Sequence, residues 1–110
     1  MICMASVTSV VDKSDIFRRV RDSGKILASL GVLSVTLFGS FVRGKQTEKS
    51  DVDMLVEFAT DGYTFDNFME VSFFLESLLG RRVEVVTPDS LSPHFKVSIL
   101  KEAERIDVAA

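Results

Sequence analysis

The chain has 110 residues, 46% of them hydrophobic and 26% charged, the balance of one ordinary globular domain. Sixteen Asp and Glu against thirteen Lys and Arg leave a formal charge of −3, which argues against stable nucleic-acid binding. Cys3 is the only cysteine and His94 the only histidine, so an intrachain disulfide, a Cys/His zinc site and a His-based catalytic triad are all excluded. The uncharged run 26–42 is too short and too rich in Gly and Ser for a membrane span, and no signal-peptide pattern opens the chain. We expect a cytoplasmic protein without membrane association. We expect one domain over 1–110, with its core at about 30–106 and residues 1–11 frayed.

In chain order, Ser14 or Asp15 can cap a helix running to about Leu30, with Ile16, Val20, Leu27 and Leu30 among its apolar positions and Gly31 ending it. Val32–Phe38 (VLSVTLF) reads as a β-branched, roughly alternating strand. Gly39-Ser40 breaks it and can start a short helix or turn, and 44–50 (GKQTEKS) is a polar loop. Val52–Phe58 (VDMLVEF) has clear period-2 patterning. Asp61-Gly62 is a turn, and Phe65–Leu79 is an apolar helix stopped by Gly80. A third strand at 82–87 ends at Pro88. A last helix at 91–103 begins around Ser92-Pro93, and 104–108 can form a fourth strand.

Strand alternation then sorts the side chains into two faces. Val52, Met54, Val56 and Phe58 oppose Asp51, Asp53, Leu55 and Glu57. Leu33, Val35 and Leu37 oppose Ser34 and Thr36, and Val83 and Val85 oppose Arg82, Glu84 and Val86. The expected fold class is α/β, a small mixed sheet of three to four strands with helices packed mainly on one face. The other face is expected to be open and to carry carboxylates.

The segment with chemical content is GSFVRGKQTEKSDVD, residues 39–53. Gly39 lets the backbone approach an anion, and Ser40 adds a hydroxyl beside the N–H groups of a helix start. Asp51 and Asp53, two apart on a strand, point to the same side. Such hard oxygen ligands suit Mg²⁺, which takes one or two carboxylates plus waters and phosphates. Glu84 lies on the matching face of another strand and could complete a two-metal site. Arg43 could steady a phosphate. On the helix at 65–79, Phe68, Val71, Phe74, Leu75, Leu78 and Leu79 form a core stripe. Met69 and Phe73 project elsewhere, as a surface for a partner or a second copy.

These residues carry a resemblance. GSFVRGKQTEKSDVDMLVEF resembles the Gly-Ser-x10-Asp-x-Asp signature of the polymerase-β-like nucleotidyltransferase superfamily, and more narrowly the minimal nucleotidyltransferases paired with HEPN-domain toxins. The resemblance covers about Leu30 to Ile106, including RRVEVVTPDSLSP after the long helix. It implies a polymerase-β-like core, with Gly39 and Ser40 on the β- and γ-phosphates of a nucleotide. Asp51, Asp53 and Glu84 would be the catalytic, metal-holding carboxylates, where the family's third acid is commonly Asp. It further implies Mg²⁺-dependent AMP transfer from ATP to a hydroxyl of a HEPN-type toxin, with this chain as antitoxin. Two alternatives stay open: a non-catalytic antitoxin acting by binding alone, and a subunit of a small-molecule (antibiotic) nucleotidyltransferase.

Overall fold

The structure is a computed structural model describing residues 8–59 and 61–108. Cys3 therefore lies outside the described residues. The elements are α1 (Lys13–Asp22), α2 (Gly24–Ser29), β1 (Val32–Phe38), α3 (Ser40–Arg43), β2 (Val52–Phe58), α4 (Phe65–Leu79), β3 (Val83–Val86), a 3-10 turn (Pro88–Ser90), α5 (Pro93–Glu102) and β4 (Glu104–Asp107). The four strands form one sheet in the order β3-β2-β1-β4. β1 is antiparallel to β2 and β4, and β2 is parallel to β3. The expected mixed α/β class is what forms.

The expected N-terminal helix is two helices with a different start. Asp12, rather than Ser14 or Asp15, is the cap: its Oδ1 accepts from the Asp15 amide at 3.0 Å. The helix breaks at Ser23, whose amide closes the turn on the carbonyls of Arg19 and Val20 at φ −100° and ψ 13°. The redirected α2 then buries Leu27. Residues 8–11 are not frayed. Val10 is fully buried and its amide donates to the Leu79 carbonyl at 2.9 Å. Arg19 Nη1 donates to the carbonyls of Thr8 at 2.6 Å and Leu78 at 3.0 Å, tying this segment to α4.

One face of the sheet carries the main core. Val35, Leu37, Val52, Met54, Val56, Val83 and Ile106 meet Ile16 and Val20 of α1, Leu27 of α2, and Val71, Leu75 and Leu79 of α4. α4 is capped by Thr64 and ends at Gly80, whose left-handed φ of 67° a side chain would resist. Leu33 departs from the expected alternation. A bulge between Val32 and Ser34 gives Val32 the core position and leaves Leu33 41% exposed.

The opposite face is less open than expected. The chain must pass from β3 at one edge to β4 at the other, and α1, α2 and α4 already fill the core face. α5 therefore crosses the acidic face. Leu55 and Ile99 are buried outside the main core, and Ser34 and Thr36 are buried on the same side as Leu55. The end where β1 finishes and β2 and β3 begin is only partly covered: Phe38, Gly39 and Asp53 are half-buried there, while Asp51 and Glu84 are exposed.

Candidate functional site

That end collects the residues singled out by sequence. Register pairs Phe38 with Asp53 and Asp53 with Glu84, so the last residue of β1, the second of β2 and the second of β3 lie side by side. Gly39 follows directly, at φ 83° and ψ −153°, a conformation open almost only to glycine. A Cβ at Gly39 would run into Oδ2 of Asp53. The bare backbone of the Gly-Ser turn is thus seated against the Asp53 carboxylate. α3 is a single turn, so it offers an anion its local N–H groups and the Ser40 hydroxyl rather than an extended helix dipole.

The carboxylates are unequal. The Asp53 carboxyl is half-buried and its pKa is pushed up to about 6. Burial is the larger cause. The Glu84 charge, a hydrogen bond with Glu84 and the Asp51 charge follow, while Arg43 pulls the other way. Asp53 and Glu84 are therefore in contact. Asp51 is exposed at the foot of β2 and acts on Asp53 through its charge. Among the described residues, no three His, Cys, Asp or Glu side chains are gathered so as to hold a metal by themselves.

Arg43 has a partner that sequence gave no means of finding. Its Nη1 donates to Glu102 Oε2 at the end of α5 at 3.1 Å, with both side chains half exposed. Both side chains line a cleft of about 240 Å³ together with Phe38, Gly39, Ser98 and Ile99. Arg43 is beside the site, but a phosphate would have to share it with Glu102. His94 is exposed on α5. On α4, Val71, Leu75 and Leu79 are buried as expected, with Phe74 and Leu78 packed against the core; Met69 is half-buried and Phe73 is 58% exposed. Among the described residues no helix is long and apolar enough to cross a membrane.

A glycine turn abutting an acid pair at the end of a mixed sheet sets main-chain N–H groups, a hydroxyl and carboxylate oxygens side by side. The profile of the nucleotidyltransferase domain matches residues 18–106, so the chain belongs to that family and is a nucleotidyltransferase, an enzyme acting on a nucleotide. A Methanocaldococcus jannaschii protein, provisionally named protein adenylyltransferase MJ1379, is 42% identical over 89 residues, covering 78% of this chain and 89% of its own. Protein adenylyltransferase MntA of Thermococcus cleftensis is 42% identical over 72 residues, 66% of this chain and 72% of its own. A solved structure, provisionally described as a minimal nucleotidyltransferase, superposes with a TM-score of 0.76 at 34% identity, over 88% of this chain and 98% of its own. This chain is of that minimal type. A crystal structure of a toxin–antitoxin with AMP-PNP shares the fold, with a TM-score of 0.61 at 24% identity over 86% of this chain and 72% of its own.

Proposed function

We propose that the chain transfers AMP from ATP to a hydroxyl of a partner protein, and that the partner is a HEPN-type toxin restrained by the modification. The observation that carries this reading is the seating of the Gly39 backbone against Asp53, with Asp53 in turn against Glu84. The names of the relatives support AMP and a protein acceptor. The toxin–antitoxin structure sharing the fold supports the kind of partner.

The donor set fits Mg²⁺. Asp53 and Glu84 are hard oxygen ligands whose mutual repulsion a divalent cation relieves, with the Asp51 charge beside them. Mg²⁺ completes its sphere with waters and substrate phosphates, so it does not require a cage of three protein ligands. Asp51, Asp53 and Glu84 would hold it, as one ion or as a two-metal pair. When bound, the metal supplies charge neutralisation for the transferring phosphoryl group and the leaving pyrophosphate.

The chain's own residues do the rest. The amides following Gly39 and the Ser40 hydroxyl orient the β- and γ-phosphates, and Arg43, released from Glu102, adds positive charge there. The acceptor oxygen bonds to the α-phosphorus in line, the bond from α-phosphorus to the bridging oxygen breaks, and pyrophosphate departs. The hydroxyl proton passes to the Glu84 carboxylate. In this reading the partner also contacts the α4 surface at Phe73, so Phe73→Asp lowers partner retention. Unchanged retention and an unchanged oligomeric state in that variant remove this surface from the account.

The reaction is tested with ATP labelled at the α- or the γ-phosphate, added to the chain purified with the protein encoded beside it. Label from the α-position alone should enter the partner. A Ser40→Ala/Asp53→Ala variant that still binds and still neutralises its partner would instead point to an antitoxin acting by binding. Turnover of a free small acceptor would point to the small-molecule reading.

A further inference from the structure

Arg81 lies outside the acid pair, yet it is joined to the segments that carry every site residue. It occupies the turn between α4 and β3, three positions before Glu84. Its Nε donates to the Val10 carbonyl at 2.9 Å, and its Nη1 donates to the carbonyls of Thr47 at 2.7 Å and Ser50 at 3.0 Å. Its guanidinium carbon is 5.0 Å from the centre of the Phe41 ring. Phe41 directly follows Ser40, and Ser50 directly precedes Asp51.

The loop between those two points, GKQTEKS, contains no apolar residue that could seat it on the core. Gln46 ties the loop to the Val11 carbonyl, and Nη1 of Arg81 adds bonds to two of the loop's own carbonyls while Nε holds Val10 and the flat face of the same group rests on Phe41. We propose that Arg81 is a positioning residue, holding α3 and the turn before β2 against the start of β3 and so fixing the Gly39-Ser40 backbone relative to Asp51 and Asp53. The inference rests on the proposed nucleotide transfer at this site. Lysine cannot substitute, because one ammonium cannot reach the Val10 carbonyl and the two loop carbonyls together and has no flat face to rest on Phe41.

The test compares wild type, Arg81→Lys and Arg81→Ala, each held well below its own Tm. Affinity is measured by calorimetry with Mg²⁺ and α,β-methylene-ATP, whose bridging carbon blocks transfer. AMP transfer to the co-purified partner is measured separately. Arg81→Lys should bind the analogue about tenfold more weakly and transfer about 10–100-fold more slowly at saturation, the scale of a misplaced reacting group. Partner retention should be unchanged, and added guanidinium should restore part of the Arg81→Ala rate. A lowered Tm with wild-type affinity and rate makes Arg81 merely structural and overturns the proposal, leaving the proposed function standing. A wild type that binds the analogue tighter than Arg81→Lys but transfers no AMP supports the positioning role and overturns the transfer reading. A wild type that does not bind the analogue removes both.

Discussion

At the scale of single residues, the site depends on a glycine that must remain a glycine and on an acid that is expensive to ionise. Gly39→Ala meets two penalties, a left-handed φ and collision with Asp53 Oδ2. We expect it to fold but to lose about 100-fold in transfer, because the turn must move off the carboxylate. A transfer rate within threefold of wild type would show that the close approach is dispensable. Asp53 gives a prediction in pH. Its folded pKa of about 6 lies above the ordinary value of 3.8, so its protonated form is favoured by folding. The stability it contributes is fully present below 3.8 and is lost as pH rises through about 6. In metal-free buffer Asp53→Asn should therefore melt above wild type at pH 7.5, with the gap narrowing toward pH 5. Thermal melts at both values read this directly, and a gap independent of pH contradicts it.

These residues were legible because their arrangement is local: a Gly-Ser at a strand end, a fixed spacing to Asp51 and Asp53, and Glu84 in phase on the next strand. Arg43's bond to Glu102 spans 59 positions, and Arg81's bonds span 31 to 71. No periodicity or motif records such distances, and two of Arg81's partners in the loop are backbone carbonyls that every sequence possesses.

Among the elements, the bounds of β1, β2 and α4 follow from pattern alone, since β-branched alternation and the stop at Gly80 are strong local signals. The bulge at Leu33 escapes that logic. Alternation assigns Leu33 to the core, but pairing with β2 skips a residue and Val32 takes its place. The break at Ser23 has only a weak local signal, the Ser23-Gly24 pair, and the helical spacing of Val20 and Leu27 runs across it. The burial contrast along α4 is directly testable. Leu75→Ala, at a fully buried position, should cost about 2–5 kcal/mol in urea unfolding. Phe73→Asp, at a position 58% exposed, should change stability by no more than about 0.5 kcal/mol. Equal losses would mean that the α4 faces are assigned wrongly.

At the scale of the molecule, strand order decides how much of the acidic face a substrate can reach. With β3 and β4 at opposite edges, α5 has to cross the sheet on the side where Leu55 and Thr36 are buried, while Asp53 is half-buried and Glu84 exposed at one end. Alternation shows which face is acidic but not which connection will cross it, because sheet order is a long-range property. The central claim is that this acid pair transfers AMP to a protein. Its most direct test is intact-mass measurement of the chain and its co-purified partner after incubation with ATP and Mg²⁺, for wild type and Asp53→Ala. The account predicts a partner heavier by one or more AMP units with wild type and unmodified with Asp53→Ala. An unmodified partner in a stable wild-type complex, or equal modification by both proteins, would contradict it.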